Sequence, residues 1–149
     1  MPKPAVFIDS SVLIAALLSS TGGSFFLLTQ CRGLVTFQIN EYVLAETQEI
    51  LRSKFAMRSG ITADLFLLLG IADVTVLPDP TRREVLKIAK TISENDAPIL
   101  ASALASSDYL VTLDNEFLNE AVSALASEKS LLITKPKEFL EGLRRHQAA

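Results

Sequence analysis

Hydrophobic and polar positions along the chain follow two alternating patterns. Short runs rich in β-branched and aromatic residues are apolar on both faces, which is typical of strands buried in a parallel sheet. Longer stretches between them repeat apolar residues at helical spacing. The predicted strands are 5–8, 34–39, 74–77, 109–113 and 131–134. The predicted helices lie near 11–19, 24–31, 41–55, 62–70, 81–93, 97–106, 115–126 and 136–145.

Strands that alternate with helices in this way indicate an α/β fold. We predict a three-layer α/β/α sandwich with a mainly parallel central sheet of about five strands, formed by one domain over residues 1–149. No repeat, low-complexity tract or linker rich in proline, glycine or serine divides the chain. In such sheets, ligand sites form beyond the carboxyl ends of the strands, where the winding reverses. Functional side chains are therefore expected at that edge.

The cysteine and histidine content limits the chemistry available to the chain. Its 149 residues include one cysteine, Cys31, and one histidine, His146, which lies three residues from the C-terminus. A serine–histidine–aspartate triad would depend on that terminal residue, and two-histidine or cysteine-rich metal sites are excluded. The net charge of −3 argues against a polycation that coats nucleic acid. Catalysis would have to rely on carboxylates, hydroxyls, amides, lysines and arginines.

The hydropathy of the chain predicts its surroundings. Apolar residues make up 49% of the sequence, but no run reaches the roughly 18–20 apolar residues that a membrane span needs. The apolar N-terminal stretch is interrupted by Asp9 and lacks a small-residue cleavage site. We therefore expect a cytoplasmic protein with no membrane partner.

Two predicted strands end in an aspartate that precedes a helix. Asp9 follows "AVFI" and precedes "SSVLIAALL", and Asp114 follows "YLVTL". Each could be an N-cap, because aspartate at that position accepts hydrogen bonds from first-turn amides. Each could also face a site at the sheet edge, an interpretation that gains force if the two strands are neighbours. Thr112 and Glu116 flank Asp114 at alternate positions and could add further oxygen atoms.

Two more acids occupy helix positions that could reach the same edge. Glu46, in "EYVLAETQEILRSKF", lies at the border of an apolar face, so it either extends to water or enters a cleft. Asp96 precedes Pro98 in "ENDAPILASALAS", where Asn95 or Asp96 can cap a helix. That helix is almost wholly apolar or small, which indicates a buried helix whose N-terminus presents Asp96 to a cleft.

Four such acids favour a divalent cation. Carboxylates within about 5 Å repel one another unless a proton or a cation lies between them. Mg²⁺ and Mn²⁺ prefer hard oxygen ligands, and one or two such ions can promote the hydrolysis of a phosphodiester. Metal-dependent cleavage of phosphodiesters is therefore available to a chain with no usable histidine pair.

The stretches "VFIDSSVLIAAL", "EYVLAETQEIL", "NDAPILASAL", "YLVTLDNEFL" and "ITKPKEFL" resemble, in this order, the PIN-domain ribonucleases, in particular the VapC-like toxins of toxin–antitoxin pairs. The resemblance implies that the catalytic and metal-binding residues are Asp9, Glu46, Asp96 and Asp114. It implies supporting roles, in orienting those carboxylates, for Ser10, Ser11, Thr112 and Glu116. It also implies Mg²⁺ or Mn²⁺, an RNA substrate, an antitoxin partner, and a homodimer or higher homo-oligomer.

The chain departs from the family pattern at two positions. The family often has an asparagine within two residues of the first aspartate, where this chain has Ser10 and Ser11. Many relatives have a further aspartate just after the last one, where this chain has Asn115 and then Glu116. The second departure bears on a second metal position, so one ion and two ions remain alternatives.

The main alternative is a non-catalytic PIN-like module that binds RNA or protein, although such a module has no physical reason to hold four repelling charges together. A haloacid-dehalogenase-like phosphatase needs a second aspartate at the position of Ser11, and a receiver domain needs an acidic neighbour that Asp9 lacks. A Rossmann-type enzyme needs a glycine-rich turn after the first strand, and Gly22-Gly23 comes too late. A Mg²⁺- or Mn²⁺-dependent endoribonuclease is the predicted function.

Two surface features bear on partners. The apolar run "LFLLLGIA" at 65–72 is predicted to form a subunit interface and, in part, core. Basic residues gather in two places, which are either solvated helix faces or patches that meet phosphates. These residues are Arg82, Arg83, Lys87 and Lys90 in one group and Lys135, Lys137, Arg144 and Arg145 in the other.

Overall fold

Five short parallel strands form the centre of the fold. The computed structural model describes residues 2–148. Its strands are Ala5–Ile8 (β1), Thr36–Asn40 (β2), Thr75–Leu77 (β3), Tyr109–Val111 (β4) and Leu132–Thr134 (β5). Their order in the sheet is β3-β2-β1-β4-β5, and all neighbours are parallel. The central strand is completely buried from Val6 to Ile8, as coverage on both faces requires.

Eight α-helices cover the sheet within residues 2–148. They are Ser10–Leu18 (α1), Gly23–Gln30 (α2), Glu41–Lys54 (α3), Ile61–Ile71 (α4), Arg82–Ile88 (α5), Ala97–Ser106 (α6), Glu120–Glu128 (α7) and Pro136–Ala148 (α8), with a 3₁₀ helix at Asn115–Leu118. The strand order reverses direction after β3, so right-handed crossovers place α1–α4 on one face and α5–α7 on the other. Contacts agree, because α1 packs against α2, α3 and α4, whereas α5 packs against α6. The predicted three-layer sandwich is confirmed.

Two predicted helices end or break where polar side chains compete for backbone groups. The helix expected at 81–93 ends at Ile88, because Thr91 and Ser93 are poor helix formers and the chain turns there to bury Ile92. The helix expected at 115–126 is interrupted at Asn119. The Asn119 side chain accepts a hydrogen bond from the amide of Val122 at 2.9 Å and so starts a new helix.

Half of the apolar run at 65–72 belongs to the core. Leu65, Leu68, Leu69 and Ala72 are buried, whereas Phe66, Leu67 and Ile71 on the other side of α4 are exposed. The run therefore contributes more to the core than predicted, and an apolar strip of α4 remains on the surface.

The carboxyl ends of β1 and β4 meet at the centre of the sheet. Ile8 pairs with Val111, and the Asp9 amide donates a hydrogen bond to the Val111 carbonyl at 3.1 Å. The winding of the sheet reverses between these two strands, because β2 and β3 lie on one side of β1 and β5 lies beyond β4. The edge predicted to carry the functional side chains is therefore the edge that Asp9 and Asp114 share.

A buried asparagine ties two helices to this edge. Asn40 is completely buried at the end of β2, and its Oδ1 accepts a hydrogen bond from the Val43 amide at 2.9 Å, which caps α3. Its Nδ2 donates to Ser102 Oγ at 2.8 Å and to the Pro98 carbonyl at 3.2 Å, both in α6. Asn40 therefore fixes the start of α3 relative to α6.

No single helix in residues 2–148 is long and apolar enough to cross a membrane. The helices Ser10–Leu18 and Gly23–Gln30 reach that length and hydropathy only when taken together, and the chain bends by 100° between them.

Replacement of Asn40 should destabilise the protein more than replacement of an exposed cap. We expect Asn40→Ala to lower the free energy of unfolding by about 2–4 kcal/mol, because it removes a helix cap and leaves buried groups of α6 without a partner. Asn119→Ala removes a cap that is exposed to solvent and should cost about 1 kcal/mol. Urea denaturation of both variants measures the difference. Equal losses would contradict the role assigned to Asn40.

Candidate metal centre

Asp9 is an almost fully buried carboxylate held by three neighbouring residues. Its side chain is only 3% exposed. Oδ1 accepts a hydrogen bond from the Ser10 amide at 2.8 Å, so Asp9 is the N-cap of α1. Oδ2 accepts hydrogen bonds from the hydroxyls of Ser11 at 2.7 Å and Thr112 at 2.8 Å. Asp9 therefore caps α1 and also lies at the sheet edge, two roles that the sequence offered as alternatives.

Glu46 reaches the same edge from α3. Its Oε1 accepts a hydrogen bond from Ser10 Oγ at 2.6 Å, and the same serine donates its amide to Asp9. Ser10 therefore lies between the two carboxylates and holds both. Glu46 is half-buried, as expected from its position at the border of the apolar face of α3.

A third part of the site contains the carboxylates of Asp96, Asp114 and Glu116. One oxygen from each lies within 4.8 Å of the others. Ser93 Oγ donates to Asp96 Oδ2 at 3.0 Å. Asp114 Oδ1 accepts a hydrogen bond from the Glu116 amide at 3.0 Å, which gives Asp114 a capping role at the 3₁₀ helix as well. We call Asp9, Glu46, Asp96, Asp114 and Glu116 the carboxylate cluster.

Thr112 joins the two halves of the carboxylate cluster. Its hydroxyl donates to Asp9 and accepts a hydrogen bond from the Asp114 amide at 3.0 Å. Thr112 is completely buried, so neither bond is exchanged for water. The Thr112 hydroxyl therefore adds to the pairing of β1 with β4 in holding Asp114 close to Asp9.

Burial and mutual repulsion disfavour the charged forms of these acids. Burial, with a smaller contribution from Asp114, raises the pKa of Asp9 in spite of its three hydrogen bonds. Burial raises the pKa of Glu46 too, and Asp9 and Asp114 add to the shift. Burial and the contact with Glu116 raise the pKa of Asp96 to about 7. Asp114 makes a small contribution to each of the three shifts, so its carboxylate lies close enough to repel all three acids.

No basic side chain neutralises the carboxylate cluster within the described part of the chain. The one salt bridge among residues 2–148 joins Glu49 and Arg52, on the exposed side of α3. The cluster offers only hard oxygen atoms, and the nearest groups are hydroxyls and amides. This donor set fits Mg²⁺ or Mn²⁺ and does not fit a metal that prefers nitrogen or sulfur.

The structure also adds a tyrosine to the site. The Tyr42 hydroxyl donates a hydrogen bond to the Asn95 carbonyl at 2.7 Å, next to Asp96. Burial raises the pKa of Tyr42, and Glu46 and Asp96 add to the shift, so the phenol lies beside both acids. The sequence contained a signal for this residue, because Tyr42 and Glu46 are four apart and share one face of α3.

The predicted site residues lie in three kinds of position. Asp9, Asp114 and Glu46 approach the edge from β1, β4 and α3, and Asp96 approaches from the start of α6 without making a capping hydrogen bond. Ser10, Ser11 and Thr112 bind the carboxylates as expected for supporting groups. Glu116, predicted to support the site from outside, has its own carboxylate beside those of Asp96 and Asp114.

The raised pKa of Asp96 predicts how the metal-free protein responds to pH. A carboxyl whose pKa is higher in the folded state stabilises the fold below its unfolded value of about 4 and loses that contribution as pH rises through its folded value. In EDTA, wild-type protein should therefore lose stability relative to Asp96→Asn between pH 4 and about 7. The difference should be roughly 1–2 kcal/mol after allowance for solvent screening. Urea denaturation at several pH values measures this difference. A difference in the free energy of unfolding that stays constant between pH 4 and about 7 would contradict the environment described for Asp96.

Comparisons with known proteins agree with this architecture. The chain is similar to the solved structure of VapBC2 from Rickettsia felis bound to a DNA fragment from their promoter, with 17% identity, a TM-score of 0.64, and coverage of 88% of this chain and 98% of that chain. It is also similar to the solved structure of PAE2754 from Pyrobaculum aerophilum, with 21% identity, a TM-score of 0.65, and coverage of 95% and 90%. At these identities the likeness shows a shared fold. A search of curated proteins finds no match.

The family of the chain follows from a match to a family model, because the two solved structures show only a shared fold. The model, described as PIN domain, matches residues 5–116, which is well over half of the chain and includes all five acids of the carboxylate cluster. PIN domains are generally nucleases. The chain belongs to the PIN-domain family.

Proposed function

We propose that this PIN domain is a Mg²⁺- or Mn²⁺-dependent endoribonuclease that hydrolyses phosphodiester bonds in single-stranded or structured RNA. The observation that carries the proposal is the carboxylate cluster, which gathers five acids at the carboxyl edge of the sheet with no basic partner in residues 2–148. Three of these acids have raised pKa values. A site with this much uncompensated negative charge is suited to divalent cations.

Asp9, Glu46, Asp96 and Asp114 would hold one or two ions, and Glu116 would supply a further oxygen beside Asp96 and Asp114. When bound, the ion supplies positive charge that stabilises the phosphate during hydrolysis and makes water more acidic. The hydroxyls of Ser10, Ser11 and Thr112 fix the orientation of the carboxylates, since each bonds to an acid of the cluster at 2.6–2.8 Å. These residues keep mutually repelling ligands from turning away.

The proposal extends to the biological setting of the chain. The fold shared with VapBC2 supports a cytoplasmic toxin with an antitoxin partner, formed by a single domain. We also propose that the chain forms a homodimer or higher homo-oligomer. The exposed strip of α4, made of Phe66, Leu67 and Ile71, offers an apolar surface for this association. Phe66 and Leu67 are 49% and 62% exposed.

Glu46 is the sharpest probe of catalysis, because it caps no helix. Glu46→Gln keeps an acceptor for Ser10 but removes a negative charge from the centre. We expect it to reduce cleavage of a fluorescent single-stranded RNA by at least about 100-fold, since loss of one electrostatic group of an active site costs about 10²–10³ in rate. Wild-type cleavage should require Mg²⁺ or Mn²⁺ and stop in EDTA.

Glu49→Gln is the matched control, because Glu49 lies on the same helix, one turn away, on its exposed side. It should cleave RNA at the wild-type rate. Equal activity of the two variants, or cleavage that persists in EDTA, would refute a metal-dependent mechanism at this centre. Binding of Mn²⁺ and RNA by folded wild-type protein without cleavage of any RNA would favour a non-catalytic PIN-like module.

A further inference from the structure

A polar cavity opens directly beside the carboxylate cluster. It is shallow and open to solvent, has a volume of about 330 Å³, and lies between the turn after α5 and the 3₁₀ helix. Its lining residues are Lys90, Thr91, Ile92, Ser93, Glu116 and Asn119. Because Glu116 belongs to the cluster and Ser93 donates to Asp96, the cavity borders the proposed reaction site.

Two of the lining residues keep polar groups available for a ligand. Asn119 uses both ends of its amide, donating to the Glu116 carbonyl at 2.8 Å and accepting from the Val122 amide at 2.9 Å. Ser93 donates its hydroxyl to Asp96. By contrast, the Lys90 ammonium group and the Thr91 hydroxyl form no hydrogen bond or ion pair with any residue of the described range. Both can donate to an anion that enters the cavity.

A line of positive charge leads to this cavity along α5. Arg83 and Lys87 are four residues apart on that helix, and Lys90 follows three residues later in the turn that closes it, so the three side chains share one side. All three are exposed. We call Arg83, Lys87 and Lys90 the basic stripe. The helix α5 packs against α6, whose N-cap is Asp96, and the stripe reaches the cluster at Lys90, which lines the same cavity as Glu116.

One acid lies close to the basic stripe. The Glu84 carboxylate accepts hydrogen bonds from the Thr81 amide at 3.0 Å and the Thr81 hydroxyl at 2.9 Å. These hydrogen bonds, and to a smaller extent the charge of Lys87, lower the pKa of Glu84. Glu84 is thus held in a capping box and offsets part of one positive charge. The stripe retains a net positive charge next to the cavity.

The electrostatics of the cluster explain why such a stripe is needed. Five carboxylates exceed the charge of one or two divalent cations, and the whole chain carries a net charge of −3. An RNA strand is therefore repelled unless positive groups lie within about one Debye length, roughly 10 Å at 0.1 M salt. Lys90 satisfies this condition, because it shares one cavity with Glu116.

We propose that the basic stripe binds the backbone phosphates of the RNA and that Lys90 and Thr91 hold the phosphate adjacent to the one that is cleaved. This inference rests on the proposed ribonuclease function, since it assigns the path of that enzyme's substrate. Lys90, Thr91 and the stripe are positioning residues, which act on the RNA backbone without regard to base sequence.

The test measures RNA binding separately from cleavage. Glu46→Gln protein in Mg²⁺ is titrated into a fluorescent single-stranded RNA at several salt concentrations, and anisotropy gives Kd. Lys87→Gln/Lys90→Gln should weaken binding about tenfold. It should also lower the slope of log Kd against log salt by about 1.4, because each single-strand phosphate contact contributes about 0.7.

The matched control is Lys54→Gln/Lys129→Gln, which changes the net charge equally. Lys54 ends α3 and Lys129 precedes β5, so both lie toward the amino edge of the sheet, away from the cluster. This control should leave Kd and the salt slope unchanged. Equal weakening by the two double variants, no weakening by either, or no RNA binding at low salt would overturn the inference.

Cleavage assays on the same lysine variants in the wild-type background separate this inference from the proposed function. A higher KM with nearly unchanged kcat for Lys87→Gln/Lys90→Gln supports the stripe. If the protein cleaves RNA in a metal-dependent way and Lys87→Gln/Lys90→Gln leaves KM, Kd and the salt slope unchanged, the proposal for the basic stripe is refuted and the proposed nuclease function is not. If the wild-type protein never cleaves RNA but Lys87→Gln/Lys90→Gln still weakens RNA binding, the proposal for the basic stripe holds and the proposed nuclease function is refuted. A poly-glutamate chain that binds as tightly as RNA, with the same dependence on these lysines, would replace RNA by an acidic protein partner.

Discussion

Repulsion among carboxylates that are gathered at the β1/β4 edge, one of them buried and three half-buried, is the constraint on which the rest of the site depends. Burial is the main cause of the raised pKa values of Asp9, Glu46 and Asp96, and Asp114 adds a smaller repulsion to each of them. A fold gains nothing from holding such groups together in the absence of a counter-charge. A bound divalent cation would supply that charge, and under the proposed function the cost to the metal-free protein is a consequence of metal binding.

The surrounding structure is arranged to hold the repelling groups in place. Ser10 binds the carboxylates of Asp9 and Glu46, and Thr112 binds the carboxylate of Asp9 and the backbone amide of Asp114. The side chains of Asp9 and Glu46 therefore cannot turn away without breaking these hydrogen bonds. Asn40 adds a second level of support, because it caps the helix that carries Glu46 and binds the helix that begins after Asp96. Local caps, which are common in any α/β protein, here also fix the geometry of a candidate metal centre.

The sequence predicted the layers of the fold and the ends of strands at which acids lie, because these depend on local hydrophobic pattern. It did not predict features that depend on contacts between distant segments. The end of α5 at Ile88 follows from the burial of Ile92, and the approach of Glu116 to Asp96 joins residues twenty positions apart. The hydrogen bonds from Asn40 to α6 span 58 and 62 residues. Asp9 could not be assigned from the sequence for a different reason. An aspartate between a strand and a helix is equally consistent with an N-cap and with a residue of the cluster.

Anomalous diffraction from crystals soaked in Mn²⁺ would show whether a divalent cation binds within the carboxylate cluster. We expect an anomalous peak in contact with Asp114 and with at least two of Asp9, Glu46, Asp96 and Glu116, at a pH above the value of about 7 to which burial and Glu116 raise the pKa of Asp96. The peak should disappear from crystals soaked with EDTA. A cluster that stays free of Mn²⁺ under these conditions, or a peak confined to surface carboxylates elsewhere, would contradict the account.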